Sequence, residues 1–158
     1  MKKTNSKGLL IFHKIGAGKT CTAIRIGEEL KRKLDKKIIL CVPASLIGNF
    51  YDELRSPCTN EDYITNKQRK QLKNLNYFDD KYKQIIKSSN EKINKKYYII
   101  SHHKFIQLIK DKKINLDNRL VIIDEIQNMI SLSGSFYKIL KNKIDNTKDR
   151  KSTRLNSS

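Results

Sequence analysis

The sequence predicts an α/β fold, a parallel sheet whose strands alternate with helices and whose carboxyl ends hold a ligand. Three observations predict it. Short apolar runs at 8–13, 38–42, 97–101 and 120–123 have the length and composition of buried strands. Segments with apolar residues at helical spacing separate several of them. Two of the runs end in charged or glycine-containing turns: the first leads into Gly16-Ala17-Gly18-Lys19-Thr20, and the last delivers Asp124-Glu125.

Bulk properties bound what this fold can do. With 158 residues there is room for one domain with a real core. No run of eighteen apolar residues occurs, so no membrane-spanning helix is expected. Leu9–Phe12 is too short for the apolar region of a secretory signal, and an intracellular protein is expected. Cys21, Cys41 and Cys58 show neither a C-x-x-C nor a Cys/His metal spacing, and they read as reduced, buried or half-buried thiols. The net charge is +18, from 34 Lys and Arg against 16 Asp and Glu. It has two open readings: a polyanionic partner, or the crowding of Lys, Asn and Ile that an AT-rich genome imposes.

Taken in order, residues 8–13 form a buried strand closed by the glycine turn. From Lys19 to about Leu34 a helix follows, with Ala23, Ile26, Leu30 and Leu34 inward and Cys21 and Ile24 as additions to that side. Residues 38–42 form the second strand, ended by Pro43. Ser45 fits the N-cap of a helix from Leu46 with an apolar stripe of Leu46, Phe50 and Leu54. Residues 58–96 are rich in Lys, Asn, Gln and Tyr. Short helices at 66–75 and 78–88 fit within this stretch, which reads as a mobile basic insertion. Residues 97–101 are the third strand, followed by a short helix with Phe105, Leu108 and Ile109 inward. Residues 120–123 are the fourth, and 126–140 are mainly helical with an interruption at 131–135.

The two charged turns carry the chemistry. Gly16 and Gly18 can take backbone angles closed to other residues, so main-chain N–H groups can face an anion beside Ala17 and Cys21. In such a phosphate-binding loop Lys19 reaches the β- and γ-phosphates of ATP, and the Thr20 hydroxyl helps hold Mg2+. His13 stands where the motif's first glycine would be. Asp124, at a strand's carboxyl end, suits the same Mg2+, and Glu125 suits the base that deprotonates water. Asp-Glu alone could equally cap a helix. Both motifs at strand ends in one chain make a nucleotide site the stronger reading.

These residues resemble a family. Gly16–Thr20 with Asp124-Glu125-Ile126-Gln127 is similar to motifs I and II of superfamily 2 helicases and translocases. Val42-Pro43-Ala44-Ser45-Leu46-Ile47-Gly48-Asn49-Phe50 resembles motif Ia of the Snf2-like and viral branches, and residues 98–105 stand where motif Ib would fall. The likeness is greatest to helicase-type ATPases of large cytoplasmic DNA viruses, the group of the poxvirus-like early transcription factor and nucleoside triphosphate phosphohydrolase I.

The resemblance implies a RecA-like parallel sheet flanked by helices and a motor that couples ATP hydrolysis to movement on DNA or RNA. Pro43, Ala44, Ser45 and Ser101 would contact nucleic-acid phosphates. Gln127 would couple the ATP site to motif III. His102 and His103 read as loop polar residues, and Tyr97, Tyr98 and Phe105 as core. Viral transcription machinery would be a partner, and host cytoplasm or virion the location. Another P-loop ATPase such as a packaging motor, or a non-hydrolysing nucleotide-dependent binding module, is the alternative.

Motif III and the arginine-bearing second RecA-like domain of the family are missing from the sequence. Asp149–Ser158 resembles the in-frame translation of a widely used sequencing adapter. Residues 1–148 are therefore expected to be part of the first RecA-like domain, with a basic insertion at 58–96 and a non-biological tail at 149–158. The motif III strand would lie between the strands at 8–13 and 120–124, so the sheet is expected to be incomplete.

Overall fold

β1 (Ile38–Val42) is buried along its whole length because both of its faces are apolar. It pairs in parallel with β2 (Tyr97–Ser101) on one side and β3 (Val121–Ile123) on the other, giving the order β2-β1-β3. The register sets Val42 opposite Ser101 and Cys41 opposite Ile123. The turns after all three strands therefore meet at one edge. This computed structural model describes residues 18–31, 36–117, 119–127, 129, 138, 139 and 142. The strand expected at 8–13, the loop residues Gly16 and Ala17, most of the helix expected at 126–140, and the tail at 149–158 lie outside them.

The strand period of two divides the core. Ile38, Leu40 and Val42 face one cluster with Ile24 of α1 (Lys19–Lys31), Phe50 and Leu54 of α2 (Ile47–Arg55), and Ile93 of α4 (Asp80–Lys96). Ile39 and Cys41 face the other, with Phe105, Ile106 and Ile109 of α5 (His102–Lys110). Helices thus cover both faces of a parallel sheet, as the sequence predicts. Packing decides α5 more than capping does. Its Ser101 cap accepts a bond from the Lys104 N–H and contributes about 1 kcal/mol. Each of its three buried side chains contributes about 1.5–3 kcal/mol.

Several expectations change. The inward side of α1 is set by Cys21, Ile24 and Gly27, while Leu30 is 41 % exposed. Gly27 explains the rotation: a Cβ there would stand 3.0 Å from Ile122 Cδ1, so the glycine lets α1 approach β3 closely. Ser45 is not an N-cap. It sits exposed in a 3-10 turn at Ala44–Leu46, and Leu46 precedes α2 without a side-chain cap. Tyr97 and Phe105 are core as expected, but Tyr98 is exposed on an edge strand.

The stretch at 58–96, read as mobile, is mostly helical and packed. α3 (Asn66–Asn74) opens on a capping box between Thr65 and Gln68, and α4 buries Ile85, Ser89 and Ile93. Tyr63 and Ile64 are buried ahead of α3. The thiol reading holds for Cys41, which is free and buried, with desolvation pushing its pKa up to about 12. It fails for the other two. Cys21 and Cys58 form a disulfide with Cα atoms 5.6 Å apart across a sequence separation of 37. The first turn of α1 and a 3-10 turn at Pro57–Thr59 meet there, a juxtaposition that cysteine spacing does not encode.

Candidate active site

Gly18 has φ +73°, a region that side chains disfavour, and a Cβ there would meet no atom within 4 Å. Backbone conformation rather than crowding calls for glycine here. α1 begins at the next residue, so Lys19 and Thr20 occupy its first turn, where N–H groups have no intrahelical acceptor. The Gly18 carbonyl is taken by the Thr22 N–H at 2.9 Å and the Thr22 hydroxyl at 3.1 Å. Cys21 is tied to Cys58, so only its backbone remains available to an anion.

Asp124 follows β3, and its N–H continues the ladder to the Cys41 carbonyl at 2.9 Å. Burial, then the neighbouring Glu125 charge, pushes its carboxyl above the ordinary range. A bond with the Glu125 backbone and the charges of Lys19 and His102 pull the other way. Glu125 is held at φ +49°, a left-handed conformation uncommon outside glycine. The Gln127 amide donates to its carboxylate.

Thr20 and Asp124 line one hollow of about 140 Å³, together with Leu46, Asn49, Phe50 and Glu53. Three segments that are remote in sequence therefore converge: the start of α1, α2 with the turn before it, and the end of β3. A hydroxyl and a carboxylate are hard oxygen donors of the kind Mg2+ takes. With Lys19 near Asp124 and the first-turn N–H groups of α1 beside them, these residues fit a nucleotide phosphate and its magnesium.

Two features escape sequence reading. Asn49 and Glu53 stand one turn apart on α2, on the side adjoining the Leu46–Phe50–Leu54 stripe; only that helical register could have pointed to them. His102 is more than a loop polar residue. It opens α5, and its Nε2–H donates to the Asp124 carbonyl at 2.8 Å, reaching across the end of β1. Pro43, Ala44 and Ser45 form the turn after β1, with Ala44 and Ser45 exposed. Ser101 is half-buried at the end of β2 with its hydroxyl engaged as the α5 cap.

A family model described as "Type III restriction enzyme, res subunit" matches residues 1–151. The chain belongs to that family. A "Putative ATP-dependent RNA helicase" of Acanthamoeba polyphaga mimivirus is 54 % identical over 147 residues, 93 % of this chain and 25 % of that protein. A "Putative helicase" of Invertebrate iridescent virus 3 is 26 % identical over 137 residues, 77 % of this chain and 13 % of that protein. A second mimivirus protein described as an RNA helicase is 28 % identical over 162 residues, covering 80 % of this chain and 14 % of its own length. No solved structure matches.

The likeness to superfamily 2 helicases of large DNA viruses is thereby upheld, and the chain is a piece of a helicase-family domain with a parallel, helix-flanked sheet. It spans a quarter or less of these relatives. Among the described residues, no helix is long and apolar enough to cross a membrane.

Proposed function

We propose that the protein carrying this chain hydrolyses ATP and uses the cycle to move along DNA or RNA. The convergence of Thr20 and Asp124 on one hollow at the start of α1 supports this reading most directly. Gly16, Ala17, Gly18 and the Cys21 backbone would cradle the phosphates, with Lys19 charge-paired to the β- and γ-oxygens. Thr20 and Asp124 would hold Mg2+, which when bound neutralises charge on those oxygens. Glu125 would take the proton of the attacking water. Its left-handed backbone aims the carboxylate, and Gln127 steadies it.

The nucleic-acid side lies at the same edge of the sheet. Pro43, Ala44, Ser45 and Ser101 would hold backbone phosphates through N–H groups, reading shape rather than sequence. His102, next to Ser101 and hydrogen-bonded to the Asp124 carbonyl, gives a hydrogen-bonded route from that surface to the metal ligand. Its N–H donates to the backbone, so it would act as a positioning residue that carries nucleic-acid binding to the ATP site.

The test is ATP turnover of the full-length protein with and without nucleic acid. Glu125→Gln should still bind ATP while hydrolysis falls about 10²–10⁴-fold, the usual contribution of a positioned base. Lys19→Ala should lose ATP binding itself. Near-wild-type turnover by Glu125→Gln would remove Glu125 from the mechanism.

A further inference from the structure

Tyr77 and Phe78 are the most exposed large apolar side chains among the described residues, at 64 % and 67 %. They stand side by side in the turn between α3 and α4, with ring centroids 4.2 Å apart. The turn is fixed by its own bonds. The Asn76 N–H donates to Asp79 Oδ2 at 2.8 Å, the Phe78 N–H to Asn76 Oδ1 at 3.1 Å, and the Asp79 N–H to the Asn76 carbonyl at 3.0 Å. Two exposed rings on a tightly bonded turn lose little further freedom when something stacks on them. Tyr77 also borders an open groove of about 340 Å³ along α4, whose lining includes Tyr82, Lys83, Ile86, Lys87 and Asn90 and also Glu91 and Asn94.

The surroundings choose the occupant. Residues 66–96 carry ten Lys and Arg against three Asp and Glu. Lys83 and Lys87 are exposed one helical turn apart beside the groove, and Lys83 makes only a loose, solvent-exposed ion pair with Asp80 at 3.9 Å. Aromatic faces for stacking, amides for base edges and ammonium groups for phosphates are the chemistry of a single-stranded nucleic acid site. We propose that Tyr77 and Phe78 form a base-stacking platform, with Lys83 and Lys87 tracking the backbone of a single strand along the groove of α4. The platform lies on the basic helical segment rather than on the turns after β1 and β2. It rests on the nucleic-acid part of the reading above and extends it to a second surface.

Fluorescence anisotropy of the full-length protein with labelled oligothymidylate tests it, and vesicles containing phosphatidylserine serve as the other polyanion. Because both rings are exposed, Tyr77→Ala/Phe78→Ala should melt as wild type does. Its affinity should fall about ten- to a hundredfold. Tyr77→Phe/Phe78→Tyr, which keeps both rings, should bind as wild type does. Lys83→Ala/Lys87→Ala should flatten the dependence of log affinity on log salt by about one to two. Wild-type affinity in the double alanine variant would overturn the platform and leave the translocase reading standing. No oligonucleotide binding by wild type would overturn both. Loss of vesicle binding with oligonucleotide binding intact would assign the face to a membrane surface and overturn the proposal.

Discussion

Glu28 and Asp124 are carboxylates at opposite ends of the sheet, and their surroundings treat them in opposite ways. Glu28 lies on α1 over the first residue of β2. Its Oε1 accepts from the Tyr63 and Tyr97 hydroxyls, the latter at 2.8 Å, and its Oε2 lies 3.4 Å from Lys96 Nζ. Lys96 also lies 5.0 Å from the Tyr63 ring centroid, and the two tyrosine rings meet edge to face. Burial and the Glu28 carboxylate push both tyrosine pKa values up, so the hydroxyls remain donors. Asp124 is also partly desolvated, yet it sits beside another carboxylate in an open hollow. A carboxylate surrounded by donors holds a fold together. One that is desolvated next to its own kind is suited to a cation supplied from outside.

The disulfide separates these two regimes along α1, and breaking it is the largest stability change expected. Reducing Cys21–Cys58, or replacing Cys21 with Ser, should cost about 2–4 kcal/mol through the freedom returned to the unfolded chain. Urea midpoints with and without dithiothreitol measure this. Equal midpoints would mean that the two thiols are not joined. The Glu28 cluster comes next. Glu28→Ala leaves two tyrosine hydroxyls without their acceptor, and at the low end of about 1–3 kcal/mol per unsatisfied group, since Glu28 is only half-buried, a loss of about 2 kcal/mol is expected. Glu28→Gln, which can still accept, should lose less. Lys96→Ala should lose about 1 kcal/mol or less, because the half-buried ammonium stays in reach of water. A Lys96→Ala loss as large as that of Glu28→Ala would make the ion pair, not the hydroxyl acceptor, the centre of the cluster.

The same contrast explains what could be read from the sequence. β1, β2 and β3 were legible because short apolar runs ended by Pro43, by Ser101-His102 or by Asp124-Glu125 leave few alternatives to a buried strand. The Glu28 cluster was not, since it joins positions 28, 63, 96 and 97, and long-range pairing of ordinary polar residues has no local signature. The packed side of α1 was misread for a related reason. Counting Leu30 and Ile26 favours the bulkier stripe, whereas Gly27 allows the close approach that brings Ile24 under the sheet. The 58–96 stretch looked mobile because lysines dominate its composition, although Tyr63, Ile85 and Ile93 suffice to anchor it. His102 was underrated because its partner is a backbone carbonyl, which sequence cannot display.

The smallest expected effect sharpens the comparison most, since it should have the opposite sign. Burial raises the Asp124 pKa in the folded protein above its unfolded value. The carboxyl's favourable contribution is therefore complete below the unfolded pKa and is lost as pH rises through the folded one. At neutral pH, without nucleotide, the ionised Asp124 works against the fold. Asp124→Asn should then raise the thermal midpoint of the nucleotide-free protein slightly, even as magnesium-dependent ATP turnover is lost. The gain should shrink as pH falls below the ordinary carboxylate range, where wild type is neutral too. Adding Mg2+ with ATP should stabilise wild type far more than the variant, because a ligand that binds only the folded state raises its stability. A lower midpoint for Asp124→Asn at neutral pH would mean that attraction to Lys19 and His102 outweighs burial. Asp124 would then belong with Glu28, as a carboxylate that the fold itself has satisfied.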